Sequence, residues 1–272
     1  MDAVRRLVEE VEGVAAVYAR RLDTDEEVVV GEVDEAFPTG SAAKLLVLLA
    51  YAEATGSGSL DAGQRVALTE PYQTARKGSG VLRFLDPGLA PTLADCATLM
   101  MIVSDNVATD AVLDALGGAD AVNGVVRSLG CHDAELTSDT VWVMPPGQFG
   151  MASPRGLADA WTLLAEPSSL AEVCKEITWR HQHREGFARR VPFQPDLPDF
   201  GFASPLRLWS KAGSYPSVSC EAGLFETDGA TWVAAVMARD LADQGARSTG
   251  AGPTLRSEVS RALFDAWGSA GR

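Results

Sequence analysis

The sequence predicts an α/β fold: an antiparallel five-stranded sheet with flanking helices, joined to an all-helical block. Three observations carry this reading. Short Val- and Ala-rich strands occur near both ends of the chain, polar turns of hairpin length join them, and the long stretch between has helical apolar spacing. The sheet is therefore built from both chain ends. This divides the chain into a discontinuous sheet domain, residues 1–56 and 195–272, and an all-α domain, residues 57–194.

Val4, Leu7, Val8 and Val11 recur at helical spacing and predict a short amphipathic helix over 2–11. Residues 14–22 and 27–33 read as two strands around the polar turn 23–26. A strongly apolar helix over 41–54 follows, after Pro38 and Gly40 have broken the preceding segment. From about 60 to 185 the pattern is helical, with joins at 78–80, 117–118 and 145–147. Two helix starts are well marked: Thr92 with Asp95 forms a capping box, and Ser153 precedes Pro154 at a first helical position. Residues 191–206 carry four prolines and a glycine and read as a connecting loop. Strands over 206–210, 217–225 and 231–239 and a helix over 255–267 complete the chain.

Composition narrows the function classes. A chain of 272 residues with 46% hydrophobic and 22% charged residues is long enough and apolar enough to bury a core. Its 37 acidic against 23 basic residues give a formal charge of -14, which repels phosphate backbones and anionic membranes. Nucleic acid and membrane are excluded as expected partners, and a small-molecule substrate is expected instead. Cys96, Cys131, Cys174 and Cys220 form no CxxC pair, so buried thiols are expected rather than a zinc ribbon or redox dithiol. Charges interrupt every apolar run in the opening residues, so no signal peptide is expected and the reading is cytoplasmic.

The chemistry begins at Ser41-Ala42-Ala43-Lys44. A hydroxyl and an amine at i and i+3 share one helix face, where the amine can take the serine's proton. Leu45, Leu46, Val47 and Leu48 desolvate that amine, lowering its pKa toward a value where the neutral base is populated. Alone the pair is a common surface pattern. Here it is followed by Ser104-Asp105-Asn106 and, on a predicted strand, by Lys211-Ala212-Gly213.

The order S-x-x-K, S-D-N, K-x-G resembles that of class A β-lactamases and penicillin-binding proteins. Phe37-Pro38, Leu99 to Ser104, Gly117-Gly118 and Ser153-Pro154-Arg155 are similar to the corresponding stretches of class A enzymes, so the likeness runs from about residue 14 to the C-terminus. The resemblance implies a β-lactamase-like fold and a serine hydrolase acting on an amide, the cyclic amide of β-lactams included. It makes Ser41 the acylated nucleophile, Lys44 its base, and Ser104 the relay of a proton to the leaving nitrogen. Asn106 would bind the substrate's side-chain amide, and Lys211 would supply positive charge. Gly213 and Ser214 border the substrate, and the backbone N–H groups of Ser41 and Ser214 form the oxyanion hole. Asp105 would hold its loop. No cofactor is expected, and no metal either, since the spacing of His181 and His183 matches no familiar zinc motif.

Two departures stand out. Ala212 occupies the place where the family carries a hydroxyl that contacts the substrate carboxylate, and Ser214, two residues on and on the same strand face, replaces it only in part. An ungapped count from Ser104 puts Thr140 where class A enzymes place the glutamate that activates the deacylating water. Asp139 and Glu135 are the nearest acids and the expected deacylation bases. Without such a base, acylation runs ahead of deacylation. Three readings stay open: a hydrolase with weak deacylation, a biosynthetic acyltransferase or amidase, and a sensor that binds β-lactams or peptides without turnover. Elsewhere, His181 and His183 are expected as solvated helix residues and Arg180, Arg184, Arg189 and Arg190 as a solvated basic face. Trp142 and Tyr72 are placed at a pocket rim.

Overall fold

The computed structural model describes residues 2–68, 77–86, 88–142, 149–242 and 249–268. It opens with helix α1 (Asp2–Glu9), strands β1 (Val14–Arg21), β2 (Glu27–Val30) and β3 (Phe37–Pro38), and a 3-10 turn over Gly40–Ala43 that runs straight into α2 (Lys44–Gly56). Helices α3 (Leu93–Ile102), α4 (Asn106–Ala115) and α5 (Ala119–Ser128) precede strands β4 (Ala134–Leu136) and β5 (Gly150–Ala152), followed by α6 (Pro154–Thr162) and α7 (Ser169–Thr178). Strands β6 (Arg207–Tyr215), β7 (Val218–Glu226) and β8 (Thr231–Arg239) lead to α8 (Ala251–Leu263), which ends in a π-helical turn over Phe264–Gly268. No helix among the described residues is long and apolar enough to cross a membrane.

The main sheet has five strands in the order β2-β1-β8-β7-β6, every neighbouring pair antiparallel. N-terminal β1 pairs with C-terminal β8 along its whole length, Val17 opposite Val236, as the two-ended reading of the sheet requires. Period-two alternation then sorts side chains onto two faces. Ala16, Tyr18, Val233, Ala235 and Met237 pack toward the central helices, whereas Ala15, Val17, Trp232, Ala234 and Val236 pack toward α1 and α8. Both faces are buried. Along α2 every residue from Lys44 to Ala52 is buried, which explains why its apolar residues run all round the helix. Lys44 is the one charged residue in that run.

Several expected elements differ. The stretch expected to be helical from 60 onward contains, in its described part before α3, only a 3-10 turn over Leu82–Phe84. Gly58, Gly63, Gly78, Gly80, Gly88 and Pro91 break any longer run. A second sheet, β3-β5-β4, also lies partly within the stretch expected to be all helical. Its strands have two or three residues each, too short for a period to register in the sequence. The strand expected to stop at Ser210 continues to Tyr215, and the last helix starts at Ala251. The capping box at Thr92 forms in both directions, at 3.1 and 2.9 Å, and Ser153 caps α6 through Gly156 N–H at 2.9 Å. Tyr72 and the join at 145–147 fall outside the described residues. All four cysteines are free and buried.

Strand β6 is an edge strand, and its outer side lies against the 3-10 turn that carries Ser41. The approach is close enough that a Cβ on Gly213 would stand 2.1 Å from the Thr39 carbonyl oxygen and 2.6 Å from Ser41 N. Only glycine permits this contact. Gly213→Ala is therefore expected to cost at least the ~1–3 kcal/mol typical of overpacking and to push β6 off the Ser41 turn. Urea denaturation of the variant checks this, and a midpoint equal to that of the parent chain contradicts it.

Candidate active site

The turn-to-helix junction places Ser41 in the 3-10 turn and Lys44 as the first residue of α2, three positions on. Lys44 is fully buried, and its Nζ donates to the Ser104 carbonyl at 2.8 Å, to Ser104 Oγ at 3.1 Å and to Asn106 Oδ1 at 2.9 Å. Lys211, also buried, arrives from β6 and donates to the same Ser104 Oγ at 3.0 Å and to its neighbour's carbonyl, Ala212 O, at 2.8 Å. One hydroxyl thus stands between two amines. Burial, and then the charge of Lys211, drives the pKa of Lys44 well below the ordinary lysine value. Burial also brings Lys211 down to about 7, against the upward pull of Glu221.

Ser104 reaches both amines because its backbone takes the left-handed conformation, φ +55°, which is unfavourable for a serine and must be held by its surroundings. Asp105 does the holding. One carboxylate oxygen accepts Val81 N–H at 2.6 Å and Leu82 N–H at 2.8 Å, and the other caps α4 through Ala108 N–H at 3.0 Å. Asn106 extends the clamp, its Nδ2 donating to the Lys77 carbonyl at 2.9 Å and its backbone N–H to the Ser79 carbonyl at 3.2 Å. The segment 77–82 is therefore fastened over the Ser104-Asp105-Asn106 turn. Removing the Asp105 carboxylate would strand three backbone donors, those of Leu82 and Ala108 buried.

Two cavities meet at Ser41, Ser79 and Ser214, one of about 110 Å³ and one of about 230 Å³. The first is walled by Trp142, Phe149 and Asn106, so the rim position expected for Trp142 holds. The second contains Ser104, Ala212, His183 and Arg256. Together they have room for a small molecule rather than a folded partner. Arg256 is committed to Glu221 in a buried pair at 3.1 Å.

Three groups of residues sit elsewhere than expected. Asp139 is exposed and its Oδ1 accepts Ala119 N–H at 2.7 Å, so it caps the start of α5 instead of facing Ser41. Glu135 is exposed on β4, opposite Met151. The structure brings neither acid to the lysine cluster. The histidines are not solvated: His181 is buried and stacked on Phe193 with centroids 5.0 Å apart, and burial pushes His183 down to about 2. The basic stretch is not uniformly solvated either, since Arg184 is partly covered and lies over the Phe193 ring at 4.9 Å.

One acid was missed. Asp110 lies one helical turn beyond Asn106 on α4, is buried, and accepts Thr140 Oγ1 at 2.6 Å and Val141 N–H at 2.8 Å. Burial raises its pKa, and these two hydrogen bonds and Lys44 oppose the rise. A sequence signal existed: an acid at i+4 from Asn106 within the otherwise uncharged Val107–Leu113 run. Asp139 offers a clean contrast. Asp139→Ala is expected to lower stability by about 1 kcal/mol, the usual cost of a lost helix cap, with the lifetime of a penicillin G adduct on Ser41 unchanged. A lengthened adduct lifetime in a folded variant would return Asp139 to the site.

The profile of the Beta-lactamase enzyme family (Beta-lactamase2) matches residues 1–267. A β-lactamase from Sphaerobacter thermophilus superposes with a TM-score of 0.82 at 27% identity, covering 97% of this chain and 95% of that one. A PBP-A mutant solved as an acyl-enzyme complex with penicillin G gives 0.81 at 23% identity over 97% and 94%. A class A β-lactamase from Mycobacterium abscessus gives 0.82 at 17% identity over 98% and 99%; these last two likenesses speak to the fold alone. No curated protein sequence matches. The profile match spans the described sheet, the helices and every residue of the lysine cluster, and the chain belongs to the Beta-lactamase enzyme family.

Proposed function

We propose that this chain is a serine enzyme that opens an amide, of the β-lactam or a related type, through an acyl-enzyme on Ser41. The observation that carries the reading is the convergence of two buried amines with depressed pKa values on Ser104 Oγ, beside a cavity that Ser41 lines. A perturbed pair of this kind in a cleft is the physical signature of proton-transfer chemistry. Family membership supports the same reaction class.

In this reading Lys44, as the neutral amine, takes the Ser41 proton while Oγ attacks the amide carbon. The resulting oxyanion lies between Ser41 N–H and Ser214 N–H, donors aimed at charge that exists only in the intermediate. Collapse breaks the carbon–nitrogen bond. Ser104 gives its proton to the leaving nitrogen and is reprotonated by Lys44, which restores the amine. Asn106, fastened between Lys44 and the Lys77 carbonyl, presents its amide at the cavity edge for the substrate's own amide. Ser214 borders the same space, Lys211 reaches it through the Ser104 hydroxyl, and Gly213 lets β6 lie against the Ser41 turn. Ala212 contributes no hydroxyl, so a substrate carboxylate is held less firmly than in relatives with one. Hydrolysis is the reading preferred to acyl transfer or mere binding, because a buried carboxylate, Asp110, adjoins the lysine cluster.

Ser41→Ala is expected to abolish adduct formation with penicillin G and with a generic serine-directed probe in intact-mass measurements. Lys44→Met is expected to slow acylation by about 10²–10⁴, the range general-base help supplies. An adduct that persists in the first variant, or near-parental acylation in the second, contradicts the assignment. Lys211 offers a pH test. A neighbouring positive charge lowers the pKa of Lys44, so Lys211→Met is expected to move the rising limb of the acylation–pH profile to higher pH. A limb that stays in place, or moves to lower pH, removes the proposed coupling between the two amines.

A further inference from the structure

We propose that the water which clears the Ser41 acyl-enzyme is activated by the Thr140 hydroxyl, backed by the Asp110 carboxylate. The inference rests on the Ser41 acyl-enzyme reading above and assigns its second half. Asp110 is otherwise hard to account for: a carboxylate buried on α4 beside the lysine cluster, one turn from a residue that binds Lys44. Its two oxygens are used unequally. Oδ1 takes a backbone N–H from Val141 at 2.8 Å, which anchors the segment, whereas Oδ2 takes the hydroxyl proton of Thr140 at 2.6 Å.

That second bond orients the threonine. A hydroxyl whose proton is committed to a carboxylate presents only lone pairs to its other neighbours and becomes an acceptor. The only other hydrogen bond to Thr140 Oγ1 among the described residues is a long one, 3.4 Å from Trp142 N–H, which leaves acceptor capacity for a water. Thr140 is partly exposed, and the next two residues, Val141 and Trp142, line the cavity beside Ser41. The ungapped count from Ser104 reaches the same residue. A threonine at this place is thus one half of a two-residue acid–base unit whose other half, Asp110, comes from α4.

Water oxygen attacks the ester carbon, one water proton passes to Thr140 Oγ1, and the threonine's own proton passes to Asp110 Oδ2. The tetrahedral oxyanion collapses, the bond from carbon to Ser41 Oγ breaks, and the proton held by Asp110 returns through Thr140 to Ser41 Oγ. One water is consumed, one carboxylic acid is released, and every side chain regains its starting state. Thr140 touches the reacting water; Asp110 acts through it and is a positioning and proton-holding residue.

The test separates the two halves of the reaction in the full chain, with penicillin G as probe and intact-mass spectrometry following the adduct. Acylation and adduct decay are measured for the parent, Thr140→Val, Thr140→Ser and Asp110→Asn. The expected result is acylation within about threefold of the parent throughout, with adduct lifetime lengthened by about 10–10² in Thr140→Val and Asp110→Asn, the lower part of the range for general-base help. Thr140→Ser keeps the hydroxyl and is expected to decay within about threefold of the parent. Asp110→Asn retains an acceptor for Val141 N–H, and should it fail to fold, the valine and serine pair decides alone. An unchanged lifetime in Thr140→Val overturns the proposal. So does a parallel loss of acylation and decay, which would make the Asp110–Thr140 bond only a clamp on the segment. Absence of any adduct on the parent and on Thr140→Val alike, with no penicillin G consumed, is a different failure: it removes the Ser41 reading itself, and this inference with it.

Discussion

Two amines have been taken out of water to meet at the hydroxyl of Ser104, and the rest of the site is arranged around that arrangement. Burying an ammonium costs several kcal/mol even after a protein relaxes around it, and two such groups sharing one acceptor add mutual repulsion. The cost is met in part by acceptors: Ser104 O and Asn106 Oδ1 for Lys44, and Ala212 O with the nearby Glu221 for Lys211. The remainder appears as weakened proton binding. Lys211 falls to about 7 and Lys44 well below its ordinary value, so the cluster exchanges protons where an exposed lysine would stay charged. Folding therefore prefers the deprotonated lysines, and through them stability rises as the pH climbs from about 7 toward the ordinary lysine range.

The scaffold's peculiarities follow from holding that meeting point. Ser104 adopts a left-handed backbone, and Asp105 pins it by spending both carboxylate oxygens on backbone N–H groups. Lys211 approaches along an edge strand that can lie against the Ser41 turn only because residue 213 has no side chain. Lys44 enters on a helix buried on all sides, which supplies the desolvation. Loop, strand and helix come from distant parts of the chain, and the β1–β8 pairing that ties the two ends together sets where β6 falls relative to α2.

Much of this was legible in the sequence because it rests on local rules. The Val- and Ala-rich strands read over 14–22 and 231–239, the capping box at Thr92 and the cap at Ser153 each depend on a few adjacent residues, and each forms, the first strand one residue shorter than read. The cluster of Lys44, Ser104, Asn106 and Lys211 was legible through its three short motifs. What escaped depends on contacts distant in sequence. Asp139 and Glu135 look well placed when counted along the chain, but Asp139 is drawn to the orphan N–H groups at the start of α5 and Glu135 to the exposed side of a strand. Asp110 looked like any helix acid until α4 packed beside Lys44 and brought Thr140 onto it. The short strands β3, β4 and β5 have too few residues for any period to announce them.

The central claim is electrostatic, and it can be measured without substrate. With lysines carrying ¹³C at Cε, NMR titration of the intact chain, assigned by Lys44→Met and Lys211→Met, reports each amine directly. The account predicts two lysines that titrate apart from the rest, Lys211 near 7 and Lys44 far below the ordinary lysine range, each moving when the other is removed. Two amines that keep their protons to pH 10 like the exposed lysines, indifferent to one another, would contradict it and leave Ser41 without a base at neutral pH.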